Sequence, residues 1–398
     1  MRRIDKEHVM NIGIDKIGFY TPPFYVDMNE LAEVRGDEPA KYTIGIGQDE
    51  MSVAPLSQDI VSMGANAALQ ILNKEDREAI DLVIVGTESG FDASKSAAVY
   101  VLDLLGLPSQ TRCMEIKHAC YGATAGIQMA KGHIALNPEK KALVIGSDIA
   151  RYGLATGGEV TQGAGAVAMI VSAEPRILSL DKESAYSSKD IMDFWRPAYA
   201  EYAMVDGQYS NEQYIAFFLT VWNQYKEITG RTLDDFDTIC FHLPFTKMGL
   251  KALREILSEV DEEKQNQLTT EYQASTLLNK KVGNIYTGSL YLSFLSLLVH
   301  STKQKAGNRI GMYSYGSGAV GEFFSGTLVE NYLDMIPQKE IKRMFENRKK
   351  ISIAKYEQLF SQVLPQDGSS FKVNSNGDDS PICLGGIKEH KRYYIMNG

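Results

Sequence analysis

The chain has 398 residues, of which 44% are hydrophobic and 23% are charged, a composition typical of a globular protein with a sizeable core. Its formal net charge of −9 argues against nucleic acid or an anionic membrane as the main partner, because either would favour a basic face. No apolar run approaches the roughly 18 residues of a membrane span, so no membrane-spanning segment is expected.

The N-terminus and the cysteines indicate a cytoplasmic protein. Residues 1–10 are polar and charged and lack the apolar centre of a signal peptide. Met10 opens the first strand-like run, so residues 1–9 are interpreted as an extension or an upstream start. The four cysteines, at positions 113, 120, 240 and 383, are widely spaced and are expected to be reduced thiols.

Residues 1–175 alternate short β-branched runs with alanine-rich helical stretches. Strands are predicted at 81–86, 113–117, 142–147 and 166–172, and a helix rich in small residues at 119–135. Strands that alternate with helices predict an α/β fold with a mostly parallel sheet covered by helices.

The second half shows a similar order of elements. A short apolar run at 238–242 precedes an amphipathic helix, and 288–300 predicts a strongly apolar helix. Paired strands are expected on either side of the turn 316–318. We therefore predict a structural duplication, with halves at 1–175 and 176–398. The aromatic, polar segment 182–225 is too irregular for a core element and is predicted to be a cap over a site.

Cys120 lies where a predicted strand ends and a small-residue helix begins. Free N–H groups and the dipole of a helix N-terminus lower the pKa of a thiol and favour the nucleophilic thiolate. The alternative interpretation is a buried structural cysteine, which is the interpretation for Cys113, Cys240 and Cys383.

Other polar residues also follow predicted strands. Glu88 comes directly after a buried run, where a half-buried carboxylate could act as a base, and His242 ends another such run. For each, the alternative is an ordinary structural or solvated side chain. Asn284 and Ser317 lie in predicted turns, and ordinary turn chemistry explains them equally well.

Two further patterns resemble ligand sites, but neither predicts one. The run GAGAVA at 163–168 precedes a strand instead of following one, so dinucleotide binding is not expected. Cys113, His118 and Cys120 would be scattered by strand alternation, with no fourth ligand nearby, so no metal site is predicted.

Taken together, seven segments resemble the hydroxymethylglutaryl-CoA synthase family, specifically its bacterial mevalonate-pathway form, over about residues 10–329. The motifs, in chain order, are GTESG (Glu88), ACYGAT (Cys120), GGEVTQGAGAVAM, DFWRP, CFHLPFTKMG (His242), VGNIYTGSLYL (Asn284) and YSYGSGAVGEF (Ser317). The resemblance implies a thiolase-like fold of two similar halves in αβαβα layers and a homodimer.

The resemblance also implies a mechanism. Cys120 would accept the acetyl group of acetyl-CoA, and Glu88 would remove a methyl proton from it. The enolate would then add to acetoacetyl-CoA, with His242 orienting this second substrate, and water would release hydroxymethylglutaryl-CoA. No cofactor beyond these CoA thioesters is implied. The residues that resemble substrate contacts are Glu38, Tyr121, Tyr152, Thr161, Ser210, Lys247, Lys251, Asn284 and Ser317.

One position departs from the family pattern, and two alternatives remain open. Relatives commonly carry an acidic residue where this chain has His118, two positions before the proposed nucleophile. The GGEVTQ sequence also departs from the eukaryotic form of its motif, which puts contacts near Gly157 in doubt. A ketoacyl-carrier-protein synthase of the initiating type shares the fold and a Cys–His–Asn set, but it needs no glutamate base. A non-catalytic acyl-CoA-binding scaffold is the other alternative.

Overall fold

A nine-stranded mixed β-sheet runs through the computed structural model, which describes residues 10–397. The predicted extension at 1–9 lies outside the described residues. In chain order the strands are β1 (Ile12–Tyr20), β2 (Phe24–Asp27), β3 (Glu50–Val53), β4 (Ile80–Gly86), β5 (Arg112–Ile116), β6 (Lys141–Ala150), β7 (Gly163–Ala173), β8 (Leu178–Ser188), β9 (Phe194–Trp195), β10 (Met204–Val205), β11 (Thr238–Phe241), β12 (Arg309–Gly316), β13 (Val320–Leu328), β14 (Lys349–Lys350), β15 (Phe371–Lys372), β16 (Ile382–Lys388) and β17 (Lys391–Met396).

The helices cover both faces of this sheet. They are α1 (Met28–Arg35), α2 (Ile60–Leu69), α3 (Lys74–Ala79), α4 (Ala97–Leu104), α5 (Gly122–Leu136), α6 (Gly207–Thr229), α7 (Thr246–Arg254), α8 (Glu262–Thr276), α9 (Asn279–Val282), α10 (Ser289–His300), α11 (Gln338–Asn347) and α12 (Ile353–Phe360). No helix within residues 10–397 has both the length and the apolar character needed to cross a membrane.

The strand order of the large sheet repeats about its centre. The order is β11-β12-β13-β8-β1-β7-β6-β4-β5. From the centre outwards, β1-β7-β6-β4 has two antiparallel neighbours and then a parallel one, and β8-β13-β12-β11 has the same pattern. The two series join through the antiparallel pairs Gly13↔Ser179 and Ile14↔Leu178. This α/β architecture agrees with the predicted fold class.

The prediction of a mostly parallel sheet was wrong. Only β4–β5, β4–β6 and β11–β12 are parallel neighbours among the eight strand pairs of the large sheet. The reason lies in the connections, because parallel neighbours need a crossover of a dozen or more residues. The turn from Gly316 to Val320 is far too short for one, so β12 and β13 run antiparallel.

Alternating residues of the strands pack into different cores. In the first half, Val83 and Ile145 contact α2 and α4, whereas Ile84 and Val144 face α5 and α10. In the second half, Phe241, Tyr313 and Phe323 pack with α6 and α7, while Cys240, Met312 and Phe324 join the core of α5 and α10. The strands of each half are therefore covered by helices on both faces, and α5 and α10 lie between the two halves of the sheet. The resulting layers are helix, sheet, helix, sheet and helix.

The predicted cap at 182–225 does not form one irregular segment. Residues up to Ser188 continue the core strand β8, and α6 begins at Gly207. The aromatic residues of α6 are buried because they recur at helical spacing on one face, including Phe218, Trp222 and Tyr225. Only 189–206 is irregular, and it carries the short β9–β10 pair.

The C-terminal segment forms a small sheet of its own. Strands β15, β16 and β17 form a three-stranded antiparallel sheet. This C-terminal sheet packs on the first half, where the Asn66 side chain bonds the backbone of Ile382 in both directions, at 2.9 and 3.0 Å. The division at 175–176 falls in the turn between β7 and β8, and the assignment of two domains stays a prediction.

Candidate active site

Cys120 and Glu88 meet at the carboxyl ends of two neighbouring parallel strands. Glu88 follows β4 by two residues, and Cys120 lies in the turn between β5 and α5. The preceding residue, Ala119, has a left-handed φ of 40°, a conformation that costs a non-glycine residue energy and is found most often at functional sites. The Cys120 Sγ donates to Glu88 Oε1 at 3.2 Å.

Two glycines allow this approach. A Cβ built on Gly86 would lie 2.4 Å from the backbone nitrogen of Ala123, and one built on Gly122 would lie 2.9 Å from the Ile116 carbonyl oxygen. The first turn of α5 therefore rests directly on the ends of β4 and β5. This backbone contact sets the separation between the thiol and the carboxyl group.

The surroundings raise the pKa values of both groups. Burial, and then the nearby Asp148 carboxylate, raise the pKa of Glu88 to about 8. Burial, followed by the charge of Glu88, raises the pKa of the Cys120 thiol well above its ordinary value. The expectation that the helix N-terminus lowers this thiol pKa is therefore wrong, because desolvation and a facing carboxyl group outweigh the helix dipole. The resting pair contains a protonated thiol.

Asp148, which the sequence analysis did not single out, holds the segment that carries Glu88. Its Oδ1 accepts from Thr87 Oγ1 at 2.9 Å, from the Glu88 N–H at 2.8 Å and from Ser89 Oγ at 2.8 Å. Its Oδ2 accepts from the N–H and Oγ1 of Thr287, at 3.1 and 2.6 Å. Burial raises the pKa of Asp148 to about 6 even though all these donors favour the carboxylate. One buried carboxylate thus joins the base to a residue from the second half.

Replacing Asp148 by asparagine should destabilise the protein. The amide offers one acceptor oxygen and turns an NH₂ group towards donors that the carboxylate now satisfies. We expect the free energy of unfolding to fall by about 1–3 kcal/mol, measured by chemical denaturation at pH 7.5. Asp92→Asn is the control, because Asp92 is an exposed carboxylate on the loop that carries Glu88. Equal stability of the two variants would contradict this interpretation of the hydrogen-bond network.

His242 faces the pair from the second half. It follows β11 directly, is only 2% exposed, and its backbone N–H donates to the Tyr313 carbonyl at 2.8 Å. Tyr214 Oη donates to the His242 carbonyl at 2.6 Å. Burial lowers the pKa of the imidazole to about 3, so the ring is neutral. Among residues 10–397 its buried Nδ1 has no hydrogen-bond partner.

Asn284 has a fixed side-chain orientation. Its Oδ1 accepts from the Tyr286 N–H and from Ser289 Oγ, both at 2.8 Å, and its Nδ2 donates to Tyr152 Oη at 3.1 Å. The rings of Tyr152, Tyr286 and Phe194 pack edge to face, with centroids 5.9–6.2 Å apart. These rings form an apolar wall beside the thiol.

One cavity of about 670 Å³ unites most of the predicted site. The predicted residues that line it are Cys120, Tyr152, Thr161, Ser210, His242, Lys251, Asn284 and Ser317. Glu88 reaches the site through its contact with Cys120. The irregular segment 189–206 contributes Phe194, Ala203 and Val205, so this part of the predicted cap does cover the cavity.

Three of the predicted contacts lie outside this lining. Glu38 is exposed before the π-helical turn Lys41–Ile46, and Lys247 is half-buried beside Gly47. Tyr121 was expected to be a pocket wall, but its hydroxyl donates to the buried Glu322 carboxylate at 2.6 Å. The helix begins at the next residue, Gly122, and turns this ring away from the cavity.

The structure adds Asp193 and Arg196, both from the DFWRP segment, to the site. Asp193 is fully buried and accepts from Tyr315 Oη at 2.8 Å, from Ser210 Oγ at 3.2 Å and from the Gly318 N–H at 2.8 Å. It thereby holds the Ser317 turn. Arg196 donates to the Glu88 carbonyl. The sequence signal that could have identified Asp193 is an aspartate beside aromatic residues in an otherwise polar segment.

His118 lies where the two halves meet. Its ring packs edge to face on Tyr121 at 6.3 Å, and its carbonyl would lie 2.8 Å from a Cβ on Gly316. Burial lowers the pKa of its imidazole, so the ring is neutral at pH 7. Within the described part of the chain its Nε2 is buried without a partner.

Comparison with known proteins identifies the family. The N-terminal family model for hydroxymethylglutaryl-coenzyme A synthase matches residues 8–175, and the C-terminal model matches 179–271 and 254–366. A hydroxymethylglutaryl-CoA synthase from Enterococcus faecalis is 54% identical over 358 residues, which is 90% of this chain and 94% of the relative.

Solved structures agree with these matches. A crystal structure of an HMG-CoA synthase complexed with CoA superposes with a TM-score of 0.95 at 43% identity, covering 97% of this chain and all of that one. A structure of MvaS in complex with 3-hydroxy-3-methylglutaryl coenzyme A gives a TM-score of 0.86 at 35% identity, covering 98% of this chain and all of that one. The chain belongs to the hydroxymethylglutaryl-CoA synthase family and has its thiolase-like α/β fold.

Proposed function

We propose that this protein condenses acetyl-CoA with acetoacetyl-CoA and water to give 3-hydroxy-3-methylglutaryl-CoA and CoA. The observation that carries the proposal is the 3.2 Å contact between the Cys120 thiol and the Glu88 carboxyl group at a cavity that His242 also lines. A nucleophile, a base and a neutral imidazole are the groups that this reaction requires. The similar structures that hold CoA and 3-hydroxy-3-methylglutaryl coenzyme A support the substrate class.

The first step is transfer of the acetyl group to Cys120. Its Sγ attacks the thioester carbon, the bond from that carbon to the CoA sulfur breaks, and the thiol proton ends on the departing CoA. The hydrogen bond to Glu88 orients Sγ before attack. The raised pKa of this thiol makes a stored thiolate unfavourable, so its proton leaves only as the new bond forms.

The second step forms a carbon–carbon bond. Once Cys120 is acetylated, the methyl group lies beside Glu88, whose raised pKa makes it a stronger base than a solvated carboxylate. Glu88 removes a methyl proton, and the resulting enolate attacks the ketone carbon of acetoacetyl-CoA. Backbone N–H groups of Cys120 and of the Ser317 turn are the proposed donors to the enolate oxygen, and one such donor contributes about 3 kcal/mol.

His242 and water complete the reaction. The neutral imidazole of His242 hydrogen-bonds the ketone of acetoacetyl-CoA, gives its N–H proton to the new alkoxide and takes up the proton that Glu88 removed, so both side chains return to their starting state. Water then attacks the Cys120 thioester, which frees the carboxylate of the product and restores the thiol. We propose that no cofactor or metal ion beyond the CoA substrates takes part.

Lys251 is the proposed contact for the CoA phosphates. It is exposed and lines the cavity, with its Nζ 5.5 Å from the centroid of the Phe245 ring. Lys247 lies one helical turn earlier on α7 and would add a second positive charge. Tyr152, Thr161, Ser210, Asn284 and Ser317 are proposed to contact the acyl and pantetheine parts, since they line the same cavity.

The rate of carbon–carbon bond formation should rise with pH through an inflection near pH 8. Because burial raises the pKa of Glu88 to about 8, most of this base is protonated at pH 6.5 and most is ionised at pH 9. Single-turnover reaction of acetylated enzyme with acetoacetyl-CoA between pH 6 and 9.5 measures this step. An inflection near the ordinary glutamate value, or no pH dependence, would contradict the assignment.

The proposed function is tested by product analysis. Purified protein is incubated with acetyl-CoA and acetoacetyl-CoA, and CoA release and the product mass are followed together. Malonyl-carrier protein replaces acetoacetyl-CoA in a parallel reaction. Condensation in that second reaction alone would favour the initiating ketoacyl synthase, and CoA binding with neither reaction would favour a non-catalytic scaffold.

We further propose a homodimer that acts in the cytoplasm in the mevalonate pathway of isoprenoid biosynthesis, as the family resemblance implies. The strand β5 ends the large sheet, and an edge strand can pair with a second copy. All four cysteines are free thiols, which fits a reducing compartment. Light scattering after gel filtration measures the mass of the assembly.

A further inference from the structure

The loop that carries Glu88 continues beyond the active site as an irregular segment. Between β4 and α4, residues 87–96 form no helix or strand. The hydrogen bonds to Asp148 hold its first three residues, Thr87 to Ser89. The next residues, Phe91 and Asp92, line a different cavity of about 560 Å³. Packing at this outer end therefore has to come from another part of the chain.

Arg392 of the C-terminal sheet provides that packing. Its guanidinium carbon lies 3.6 Å from the centroid of the Phe91 ring, which is the geometry of a cation–π interaction. The Phe91 ring also packs on Tyr100 at 5.8 Å, and Tyr100 packs on Tyr394 of β17 at 5.8 Å. Both Phe91 and Arg392 are half-buried, so this contact is partly shielded from water.

Arg392 is itself tied to the core of the first half. Its Nη1 donates to Asp59 Oδ2 at 2.7 Å, and the Tyr394 hydroxyl donates to the same oxygen at 2.9 Å. The other oxygen of Asp59 caps the N-terminus of α2 through the N–H groups of Val61 and Ser62. The Arg392 guanidinium therefore links Asp59, at the start of α2, to the ring of Phe91, which is three residues from Glu88.

We propose that Arg392 is a positioning residue for Glu88, which it serves by holding Phe91 and thereby the loop that carries the base. The inference rests on the proposed function of Glu88. Residues 371–396 of the C-terminal sheet lie beyond residue 366, where the match to the family model ends.

The test separates acetyl transfer from proton abstraction. Protein is incubated with acetyl-CoA in D₂O without acetoacetyl-CoA, and the acetylated Cys120 peptide is analysed by mass spectrometry. Acetyl gained reports the first step, and deuterium in the acetyl methyl group reports removal of a proton by Glu88. For Arg392→Ala we expect deuterium uptake to slow about tenfold, since small displacements of a reacting group can cost up to about 10²-fold. Acetylation should stay at the wild-type rate.

Three variants complete the experiment. Arg392→Lys keeps a cation over the ring and should recover most of the exchange rate. Lys391→Ala is the matched control, because Lys391 is the exposed neighbour on the same strand, and it should behave as wild type. Phe91→Leu removes the ring but leaves the Arg392–Asp59 pair, and it should reproduce the selective loss even if Arg392→Ala does not fold.

The outcomes are distinct. Unchanged deuterium exchange in Arg392→Ala and Phe91→Leu overturns the inference. An equal loss of acetylation and deuterium exchange also overturns it, because that result indicates a general loss of structure. If wild type itself takes up acetyl but neither exchanges nor condenses, the proposed function fails instead of the role of Arg392.

Discussion

Cys120→Ser should lose the acetyl-enzyme and at least about 10⁴-fold of condensation activity, because removal of a nucleophile disables every later step. The substitution changes one atom and leaves a hydroxyl that can still donate to Glu88, so the cavity is preserved. Intact-mass analysis after incubation with acetyl-CoA should show one added acetyl group on wild type and none on the variant.

Cys113→Ser is the matched control for this experiment. Cys113 lies on β5, seven residues before the nucleophile, and its thiol is half-buried away from the cavity lining. This variant should acetylate and condense as wild type does. Acetylation of Cys120→Ser at another residue, with condensation retained, would remove Cys120 from the mechanism.

Glu88→Ala should separate the two halves of the reaction. The variant retains the thiol and should still take up one acetyl group, but condensation should fall about 10²–10⁴-fold, the range for loss of a general base. The physical reason is that, among residues 10–397, no other carboxylate accepts a hydrogen bond from the Cys120 sulfur, and the nearby Asp148 carboxylate already accepts from five donors. Acetylation is followed by intact mass and condensation by product mass.

Glu88→Gln is the companion variant, because glutamine keeps the shape of the side chain but cannot accept the methyl proton. It should show the same separation as Glu88→Ala. Normal condensation by either variant would exclude Glu88 as the base. A glutamine variant that condenses while the alanine variant does not would assign Glu88 a packing role.

The chain order of polar residues was enough to predict much of the site. Glu88, Cys120 and His242 each follow a short strand, and the carboxyl ends of such strands meet at one edge of an α/β sheet. The strand pattern places them there without knowledge of which strands are neighbours. The family motifs then supplied their roles.

Other properties of the site depend on contacts between distant segments. The direction of the Cys120 pKa shift reflects burial by both halves, which the local helix start does not reveal. Tyr121 follows Cys120 directly, but its side chain points in a different direction, and its hydroxyl donates to Glu322. Asp148 ends a buried run as Glu88 does, but its five donors come from two separate parts of the chain.

The extent of the cap was predictable from periodicity that the interpretation overlooked. In α6 the buried aromatic residues Phe218, Trp222 and Tyr225 recur at intervals of four and three, which indicates a helix with one apolar face. Aromatic content alone had suggested an irregular cover. The limits of β8 were harder to predict, because its second part has one buried residue, Ala185, and forms a strand through its pairing with β13.

Gly86 has a consequence for the order of events during turnover. With only a hydrogen at this position, the spacing of sulfur and carboxyl group is fixed by main-chain atoms of the first half. A long thioester can therefore enter or leave the cavity without a change in this spacing. Substrate exchange and bond chemistry are mechanically separate, so the covalent intermediate can wait, intact and correctly aimed, while one CoA molecule leaves and the next arrives.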